Sequence, residues 1–237
     1  MLDFPSPLIQ GKLIKRYKRF LADVELKDGE VIQAHCPNTG SMATCAEPGA
    51  GVLLSISPNK ARKLPHTWEL TKTKGGYIGI NTARPNQIVA QAVEDGLVEA
   101  LSGYETVKKE AKYCDGTRFD LKLTGGKRKE CFVEIKNVTL YDADSDAVRF
   151  PDAKTERGLK HLHHLIEAKK EGYRSVMLFL VNRPEGEYFA PAAAIDPAYA
   201  EGLKKAKKAG VELIALRAKH TLKTSTIAGT VPIRLNG

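Results

Sequence analysis

The sequence predicts a two-domain protein of mixed α and β structure (α+β / α/β), with a small β-barrel before a larger domain. Over the first eighty residues, short apolar runs alternate with turn-forming stretches such as PNTGSM and AEPGAG, without a convincing helix. About five short strands in this arrangement are typical of a small barrel or sandwich. From about residue 86, apolar residues recur at helical spacing. The predicted element order is then α-β-β-β-α-β, followed by another α-β unit. We therefore predict domains at 1–82 and 83–237.

Composition is that of an ordinary globular protein with an excess of positive charge. The 237 residues are 42% hydrophobic and 27% charged, and the formal net charge is +9. This excess suggests a polyanionic partner, with nucleic acid first, although a basic protein without such a partner fits the charge equally well. The chain shows no C-x-x-C spacing, no apolar leader and no run of transmembrane length. We expect a cytoplasmic protein that binds no membrane, with Cys114 and Cys131 in the core.

One N-terminal strand combines positive charge with an aromatic ring. In KRYKRFLADVEL, alternate residues from 20 to 26 are apolar, whereas Lys15, Tyr17 and Arg19 lie on the opposite face. Cationic side chains contact phosphates and a tyrosine ring stacks on bases, so this face is a candidate DNA-binding surface. A solvated strand face that carries one tyrosine is the alternative explanation.

The polar turn CPNTGSM, at residues 36–42, is a second candidate for DNA binding. Asn38, Thr39 and Ser41, together with Gly40, can present backbone N–H and hydroxyl groups to a phosphate. Turn formation alone is the alternative explanation for these residue types. We expect this loop to face the second domain and the nucleic acid held between the two.

The second domain is predicted to start with a helix over residues 86–102, where apolar residues recur at helical spacing and SG ends the run. Three strand candidates follow, ETVKKEAKY, TRFDLKL and ECFVEIKNVTL, and then a polar loop, YDADSDAVRFPDAK. The run TERGLKHLHHLIEAKKEG predicts a helix that ends at Gly172, and YRSVMLFLVN predicts a buried strand. A last helix has Asp196 as its cap and Gly210 as its end, before the strand VELIALRA.

The hairpin around TGGKRKE has one register that keeps its core face apolar. In that register the opposed pairs are Phe119 with Ile135, Leu121 with Val133, and Leu123 with Cys131. On the other face, Asp120 lies opposite Glu134, with Lys136 one step further along. A register shifted by one residue would set charged residues opposite apolar ones.

Two opposed carboxylates repel each other, and a cation between them removes that repulsion. Asp120 and Glu134 suit a hard divalent ion such as Mg²⁺ or Mn²⁺, with water completing the coordination shell. Lys136 would then point at metal-bound water or at a scissile phosphate, which makes the three residues a candidate catalytic site. An exposed ion pair between Glu134 and Lys136, without metal, is the alternative explanation.

An Asp on one hairpin strand and Glu-x-Lys on the next, within the order α-β-β-β-α-β, resembles the PD-(D/E)xK nuclease-like fold. In similar nucleases the helix after the third strand often lends a polar residue to the site. Arg157 and His161 lie one turn apart on this helix and are candidate DNA phosphate contacts, with a solvated basic face as the alternative. Similar folds sometimes place a carboxylate on the first helix, which makes Glu99 a further candidate metal ligand.

Several stretches together resemble the sugar fermentation stimulation protein A (SfsA) family. They include CPNTGSM, NTARPN, TRFDLKL, VEIKNVTL, FPDAKTERGLKHL and VNRPEGEYFAP, in order along nearly the whole chain. The resemblance implies an N-terminal OB-like β-barrel followed by a PD-(D/E)xK nuclease-like domain. It further implies DNA binding with low sequence specificity and a regulatory role in sugar (maltose) metabolism, and it carries over Asp120, Glu134 and Lys136 as the nuclease residues.

Three functions fit these observations: DNA binding mainly through phosphates, metal-dependent phosphodiester cleavage, and regulation through a small ligand in the metal pocket. Binding through phosphates would weaken steeply with salt and depend little on sequence. TERGLKHL lacks a helix-turn-helix partner at the right distance, which argues against readout of the major groove by a recognition helix. The sequence leaves open the choice of DNA or RNA, single or double strand, and the oligomeric state, a homodimer included.

Overall fold

The N-terminal domain is a closed five-stranded β-barrel, as predicted. In the computed structural model, which describes residues 1–236, the first strands are β1 (Leu2–Asp3), β2 (Ile9–Tyr17), β3 (Leu21–Leu26), β4 (Val31–His35), β5 (Gly51–Ile56), β6 (His66–Thr73) and β7 (Gly76–Gly79). The sheet order is β4-β3-β2-β5-β6-β7, and a parallel contact between His35 and Thr67 joins β4 to β6 and closes the barrel. Trp68 is fully buried in the barrel core.

The stretch predicted as one continuous strand over KRYKRFLADVEL is a hairpin, so that prediction is wrong. β2 ends at Tyr17 and β3 begins at Leu21, and these two residues face each other across the turn. Lys18 and Arg19 adopt left-handed backbone conformations, with φ of 48° and 65°. The turn contains no glycine, proline or asparagine, and it therefore lacks the usual signals of a chain reversal.

The second domain surrounds a seven-stranded mixed sheet. Its elements are α1 (Pro85–Glu94), a 3₁₀ turn (Glu99–Leu101), β8 (Thr106–Cys114), β9 (Thr117–Thr124), β10 (Cys131–Val138), β11 (Leu140–Asp142), β12 (Ala147–Phe150), α2 (Glu156–Lys170), β13 (Arg174–Val181), β14 (Tyr188–Pro191), α3 (Pro197–Lys208), β15 (Glu212–His220) and β16 (Thr224–Thr230). The order across the sheet is β1-β16-β15-β13-β10-β9-β8, with β10, β13 and β15 parallel. The path α1-β8-β9-β10-α2-β13 is the predicted α-β-β-β-α-β order.

The sheet has a separate apolar core on each face. One core packs the sheet against α1 and includes Val133 and Leu178, whereas the other packs it against α2 and α3 and includes Phe179 and Leu162. Side chains alternate between faces along a strand, so neighbouring residues on β10 point to different helices. Glu134 and Lys136 lie on the α2 side by this alternation. No helix among the described residues is long and apolar enough to cross a membrane.

The helix ends show how local sequence signals set the bounds of the helices. α1 ends at Glu94, eight residues before the predicted end, because the chain turns at Gly96 with φ of 71°. The predicted cap of α3 is confirmed, since the Asp196 carboxylate accepts the backbone N–H of Tyr199 at 2.9 Å. Gly172 and Gly210 follow α2 and α3 with positive φ, as expected for residues that end helices.

Part of the predicted polar loop at 141–154 forms strands, so the prediction of a loop there is wrong. β11, β12 and β14 make a small three-stranded sheet beside the main one. The connection between β11 and β12 folds around aspartates, with the Tyr141 hydroxyl donating to Asp146 at 2.8 Å and the Ser145 hydroxyl donating to Asp142 at 2.6 Å. Residues 2–3 also differ from the expected pattern, because β1 pairs with β16 at the edge of the second domain's sheet. The division of the chain at residue 82 stays a prediction.

Candidate active site

The site forms where β9 and β10 separate. Their antiparallel pairing includes the predicted pairs Leu123 with Cys131 and Leu121 with Val133, and it ends there. Beyond this point the Asp120 carboxylate enters the gap, and its Oδ2 accepts the backbone N–H of Ile135 at 2.6 Å. The side chain thus satisfies a backbone donor that the neighbouring strand would otherwise satisfy.

The predicted pairing of Phe119 with Ile135 is wrong, because β9 changes face at Asp120. Phe119 packs on the α2 side, where its ring lies 5.1 Å from that of Phe132, whereas Leu121 and Ile135 belong to the core under α1. The apolar face of the hairpin is therefore not continuous. The interruption in alternation is what leaves Asp120 between the strands, beside Ile135.

Glu134 and Lys136 form a buried pair on β10, which rules out the alternative of an exposed ion pair. Their side chains are 3% and 13% exposed, and Lys136 Nζ donates to Glu134 Oε1 at 2.7 Å. His161 on α2 contacts the same oxygen through Nδ1 and lies 3.3 Å from Lys136 Nζ. The Glu-x-Lys motif and the helix after the third strand therefore meet in one cluster.

The two carboxylates differ in their electrostatic environment. Burial, followed by the nearby charge of Glu134, raises the pKa of Asp120 to about 6. Burial also opposes ionisation of Glu134, yet the hydrogen bond from His161 and the charge of Lys136 outweigh it and hold the pKa of Glu134 below its ordinary value. Glu134 is thus anionic at neutral pH, whereas Asp120 sits in surroundings that disfavour its charge.

The donor set fits a hydrated divalent cation. Glu134 Oε2 is buried and has no hydrogen-bond partner, and Asp120 offers a second carboxylate whose charge a cation would stabilise. Hard cations such as Mg²⁺ and Mn²⁺ bind through one or two carboxylates and keep several waters. Within residues 1–236, no group of three or more His, Cys, Asp or Glu side chains is already arranged to hold a metal. Water would complete the coordination shell of a cation held by these two carboxylates alone.

Arg157 and His161 lie where the sequence predicts, on the turn of α2 that faces the carboxylates. Arg157 Nε lies 3.4 Å from His161 Nε2, so the two side chains are linked, and both line an open cleft. This cleft has a volume of about 840 Å³. The residues that line it are Asn86, Glu110, Lys112, Cys114, Asp115, Gly116, Thr117, Arg118, Asp120, Arg157, Lys160 and His161.

Several polar residues of this cleft were not predicted from the sequence, Asn86 and Glu110 among them, and Cys114 was predicted in the wrong place. Asn86, at the start of α1, donates its amide to Asp120 Oδ1 at 2.7 Å, although its position after Pro85 indicates only a helix start. Glu110 lies on β8 and lines the same cleft. Cys114 is exposed in the cleft wall, and the expectation that it lies in the core is wrong, whereas the same expectation for Cys131 is confirmed.

Glu99 does not reach this site. It is exposed on the 3₁₀ turn that follows α1, and it is not among the residues that line the cleft. The expectation of a carboxylate from the first helix depended on a helix that continued past residue 99. Asn86, at the opposite end of that helix, is the residue of α1 that contacts Asp120.

The candidate DNA-binding face of the barrel contains an acid, Asp23, which the sequence analysis did not take into account. The Tyr17 hydroxyl donates to Asp23 Oδ1 at 2.9 Å, and Lys15 Nζ lies 3.5 Å from the other oxygen of that carboxylate. Arg19 is exposed in the β2–β3 turn. Lys15 and Tyr17 thus share a partially neutralised surface, and Arg19 stands beside it.

The 36–42 loop faces the second domain, as expected. Ser41 Oγ donates to Asp152 Oδ2 at 3.4 Å, and Thr39 is exposed beside it. Asn38 is buried and its Oδ1 accepts the backbone N–H of Gly40 at 2.9 Å, which is turn chemistry. Arg16, which the sequence analysis did not single out, donates to the carbonyls of Asn38 and Gly40 at 2.9 Å each.

Two family models match the chain in the order of its domains. The SfsA N-terminal OB domain matches residues 14–80, and the sugar fermentation stimulation protein RE domain matches residues 83–224. The chain belongs to the sugar fermentation stimulation protein family. The family resemblance predicted from the sequence is therefore confirmed, and so is the fold: an N-terminal OB barrel followed by a mixed α and β domain that contains the αβββαβ order and matches the family's RE domain.

Relatives in this family match over nearly their whole length. The sugar fermentation stimulation protein homologs of Geotalea uraniireducens and Citrifermentans bemidjiense are 47% and 48% identical over 234 residues, covering 99% of this chain and 100% of theirs. Among solved structures, Pyrococcus furiosus SfsA in complex with Ca²⁺ is 26% identical, with a TM-score of 0.86 over 97% of this chain and 96% of that one.

Proposed function

We propose that this protein binds DNA across the cleft, mainly through phosphates and with low sequence specificity. The observation that carries the proposal is the set of cations on the cleft wall. Arg118, Arg157 and Lys160 line the cleft and make no ion pair with any carboxylate among residues 1–236. Cations without a carboxylate partner among the described residues, in a chain of net charge +9, suit a polyanionic ligand.

In this proposal, the barrel extends the DNA-binding surface beyond the cleft. Thr39 and Arg19 are exposed and can each approach a phosphate, whereas Asn38 shapes the loop that presents Thr39 and Ser41. A second, smaller pocket of about 390 Å³ lies between the 36–42 loop and the segment before α2. Lys154 lines this pocket beside Asp152, so the pocket offers a cation to a phosphate but is not uniformly positive.

Salt-dependent DNA binding tests this proposal. Fluorescence anisotropy with a labelled duplex and a labelled single strand measures Kd for wild type, for Arg157→Ala/Lys160→Ala, and for Lys204→Ala/Lys205→Ala on α3 as a charge-matched control. Each phosphate contact contributes about 0.9 to the slope of log K against log salt for duplex DNA. We expect the cleft variant to lose about two units of slope and the control to lose none. Equal slopes in all three proteins would overturn the proposal.

A second candidate function is metal-dependent hydrolysis of the bound phosphodiester. The specific observation that favours it is Glu134 Oε2, a buried carboxylate oxygen without a partner, close to a second carboxylate at Asp120. A bound Mg²⁺ or Mn²⁺ would lower the pKa of water and neutralise charge on the phosphate. The Lys136 ammonium lies against Glu134 and can stabilise the charge that develops on the phosphate. His161, on α2, holds the Glu134 carboxylate in place. The Ca²⁺ in Pyrococcus furiosus SfsA supports a divalent-cation site.

Cleavage assays separate hydrolysis from binding alone. Labelled single- and double-stranded DNA is incubated with Mg²⁺ or Mn²⁺ and with wild type or Glu134→Gln, and the products are resolved on a denaturing gel. Cleavage that needs metal and is lost in Glu134→Gln is the expected result. Salt-sensitive binding without cleavage in either protein would overturn the hydrolytic function and leave DNA binding on a nuclease-like scaffold.

A regulatory role in sugar metabolism, maltose included, is implied by the family resemblance and is part of this proposal. If DNA binding underlies it, deletion of the gene changes sugar-dependent transcripts, and the Arg157→Ala/Lys160→Ala variant fails to restore them. Full restoration by that variant would contradict a regulatory role that acts through the cleft.

A further inference from the structure

Glu110 stands directly opposite Asp120 in the sheet. β8 and β9 pair with Lys109 opposite Leu121 and Ala111 opposite Phe119, and this register leaves Glu110 facing Asp120 between the two pairs. Both residues line the cleft. Opposed residues of antiparallel strands have Cβ atoms about 5 Å apart, which is within the reach of two carboxylates that share a ligand.

The backbone at Glu110 has an unusual conformation for a residue inside a strand. Its φ is 51°, in the left-handed region that residues other than glycine seldom adopt, and such strain clusters at functional sites. Before this point Val107 packs towards α1, and after it Ala111 packs towards α2. β8 therefore changes face at Glu110 just as β9 does at Asp120, and the shared change leaves both carboxylates at the cleft.

Glu110 is also free to take a ligand. Its side chain is exposed and makes no hydrogen bond or ion pair with any residue between 1 and 236. An independent observation points to the missing ligand, because Glu134 Oε2 is buried in the same site without a partner. Lys109 and Lys112 lie on either side of Glu110 along β8, yet neither forms an ion pair with it among the described residues.

We propose that Glu110 is the third carboxylate of a divalent-cation site whose other two are Asp120 and Glu134. This inference rests on the proposed hydrolytic function and deepens it. Two carboxylates leave a cation largely hydrated, and a third from the open side of the cleft adds an oxygen ligand and negative charge. The left-handed backbone at residue 110 lies at the point where β8 changes face, and both Glu110 and Asp120 line the cleft.

Metal binding and stability together test the inference. Isothermal titration with Mn²⁺ measures the Kd of wild type, Glu110→Gln, Glu110→Gly, Glu134→Gln and Lys18→Gly. Lys18 also has a left-handed backbone, with φ of 48°, but it lies in the barrel turn and serves as the matched control. Thermal unfolding in a chelator measures Tm for the same proteins.

We expect Glu110→Gln and Glu110→Gly to weaken Mn²⁺ binding at least tenfold. Glycine relieves left-handed strain, so Glu110→Gly should keep or raise the metal-free Tm by about 2 °C, as Lys18→Gly should. Lys18→Gly should bind Mn²⁺ like wild type. If Mn²⁺ affinity is lost in Glu134→Gln but unchanged in both Glu110 variants, the role of Glu110 is overturned while the metal site stands. Absence of Mn²⁺ binding in wild type would overturn both.

Discussion

Glu134 shows how one residue can be costly for folding and suited to function. It is 2% exposed, and among residues 1–236 only one of its two oxygens has partners, Lys136 and His161. Burial of a carboxylate oxygen without a hydrogen bond destabilises the fold. A cation that binds Oε2 would remove that cost, so the same atom links stability to metal binding.

Asp120 supports a prediction about stability without metal. Its pKa of about 6 lies above its ordinary value of 3.8, so the folded state binds the proton more tightly than the unfolded state does. The free energy of unfolding should therefore fall as pH rises from about 4 to 6. Asp120→Asn should raise it by about 1–3 kcal/mol at pH 7 in a chelator. Urea unfolding measures the change, and a less stable Asn variant would contradict it.

His220 gives a pH dependence of the opposite sign. Burial, followed by the charge of Arg84, lowers its pKa to about 4 from an ordinary 6.5, and the neutral ring contacts Asn182 and Ser225 at 3.1 and 3.0 Å. Between these pH values the unfolded chain binds a proton that the folded chain does not, so stability falls as pH falls. His220 should account for about 3 kcal/mol of that loss.

Urea unfolding of wild type and His220→Gln at pH 7.5, 6.0 and 4.5 checks the His220 prediction. The free energy of unfolding of the variant should change less between pH 7.5 and 4.5 than that of wild type. Parallel curves for the two proteins would show that His220 does not cause the dependence.

At the residue scale, the side chains that could be predicted from the sequence are those whose position follows from strand or helix periodicity. Glu134 and Lys136 share a strand face, Arg157 and His161 are one helical turn apart, and these spacings are local. Asn86, Glu110 and Arg16 act on partners many residues away, and no local spacing indicates such contacts. Their roles needed the tertiary structure.

At the element scale, Asp196 joins the starts of two helices. It caps α3 through Tyr199, and its second oxygen accepts the backbone N–H of Thr155, the residue that caps α2. Thr155 Oγ1 in turn accepts the backbone N–H of Gly158 at 3.0 Å. The position of α2, and hence of His161 against Glu134, depends on this arrangement.

Asp196→Ala should therefore destabilise the protein by about 2 kcal/mol, which corresponds to a Tm lower by about 4–8 °C. Thr155→Ser keeps a hydroxyl at the cap of α2 and should change Tm by less than about 2 °C. Differential scanning calorimetry measures both variants. Equal Tm values for Asp196→Ala and wild type would contradict the proposed link between the helices.

The elements that sequence reasoning missed share a cause. The hairpin at Lys18–Phe20 turns without glycine or proline, and β12 follows a cluster of aspartates that indicates a loop. β11, β12 and β14 are each three or four residues long, too short for a period to show. Longer elements with caps or glycine stops, such as α2 and α3, were predicted within a few residues.

At the scale of the whole molecule, Arg183 joins the two domains. It is 3% exposed, and its Nη1 donates to the carbonyl of Thr139 at 2.6 Å and to Thr44 Oγ1 of the barrel at 3.0 Å. The Nε of Arg183 donates to Glu185 Oε2 at 2.9 Å. The 36–42 loop and the cleft therefore keep a fixed relation, which a DNA surface spanning both domains requires.

Arg183→Met should loosen this junction and cost about 3 kcal/mol, because it leaves Glu185, the Thr139 carbonyl and the barrel's Thr44 hydroxyl without their donor. Limited proteolysis should cut the variant near residues 81–85 faster than wild type. Lys204→Ala removes an exposed cation whose pairing with Glu201 is worth little, and it should behave like wild type. Equal cleavage rates in all three would contradict the interdomain role.

The measurement that tests DNA binding in the cleft most directly uses a native thiol. Cys114 is exposed in the cleft wall, whereas the other three cysteines are buried, so a maleimide reports on Cys114. Saturating DNA should slow modification of Cys114 at least tenfold at low salt, and high salt should restore the rate of the free protein. If anisotropy shows DNA bound while Cys114 reacts at its free rate, DNA does not occupy the cleft and the central claim is contradicted.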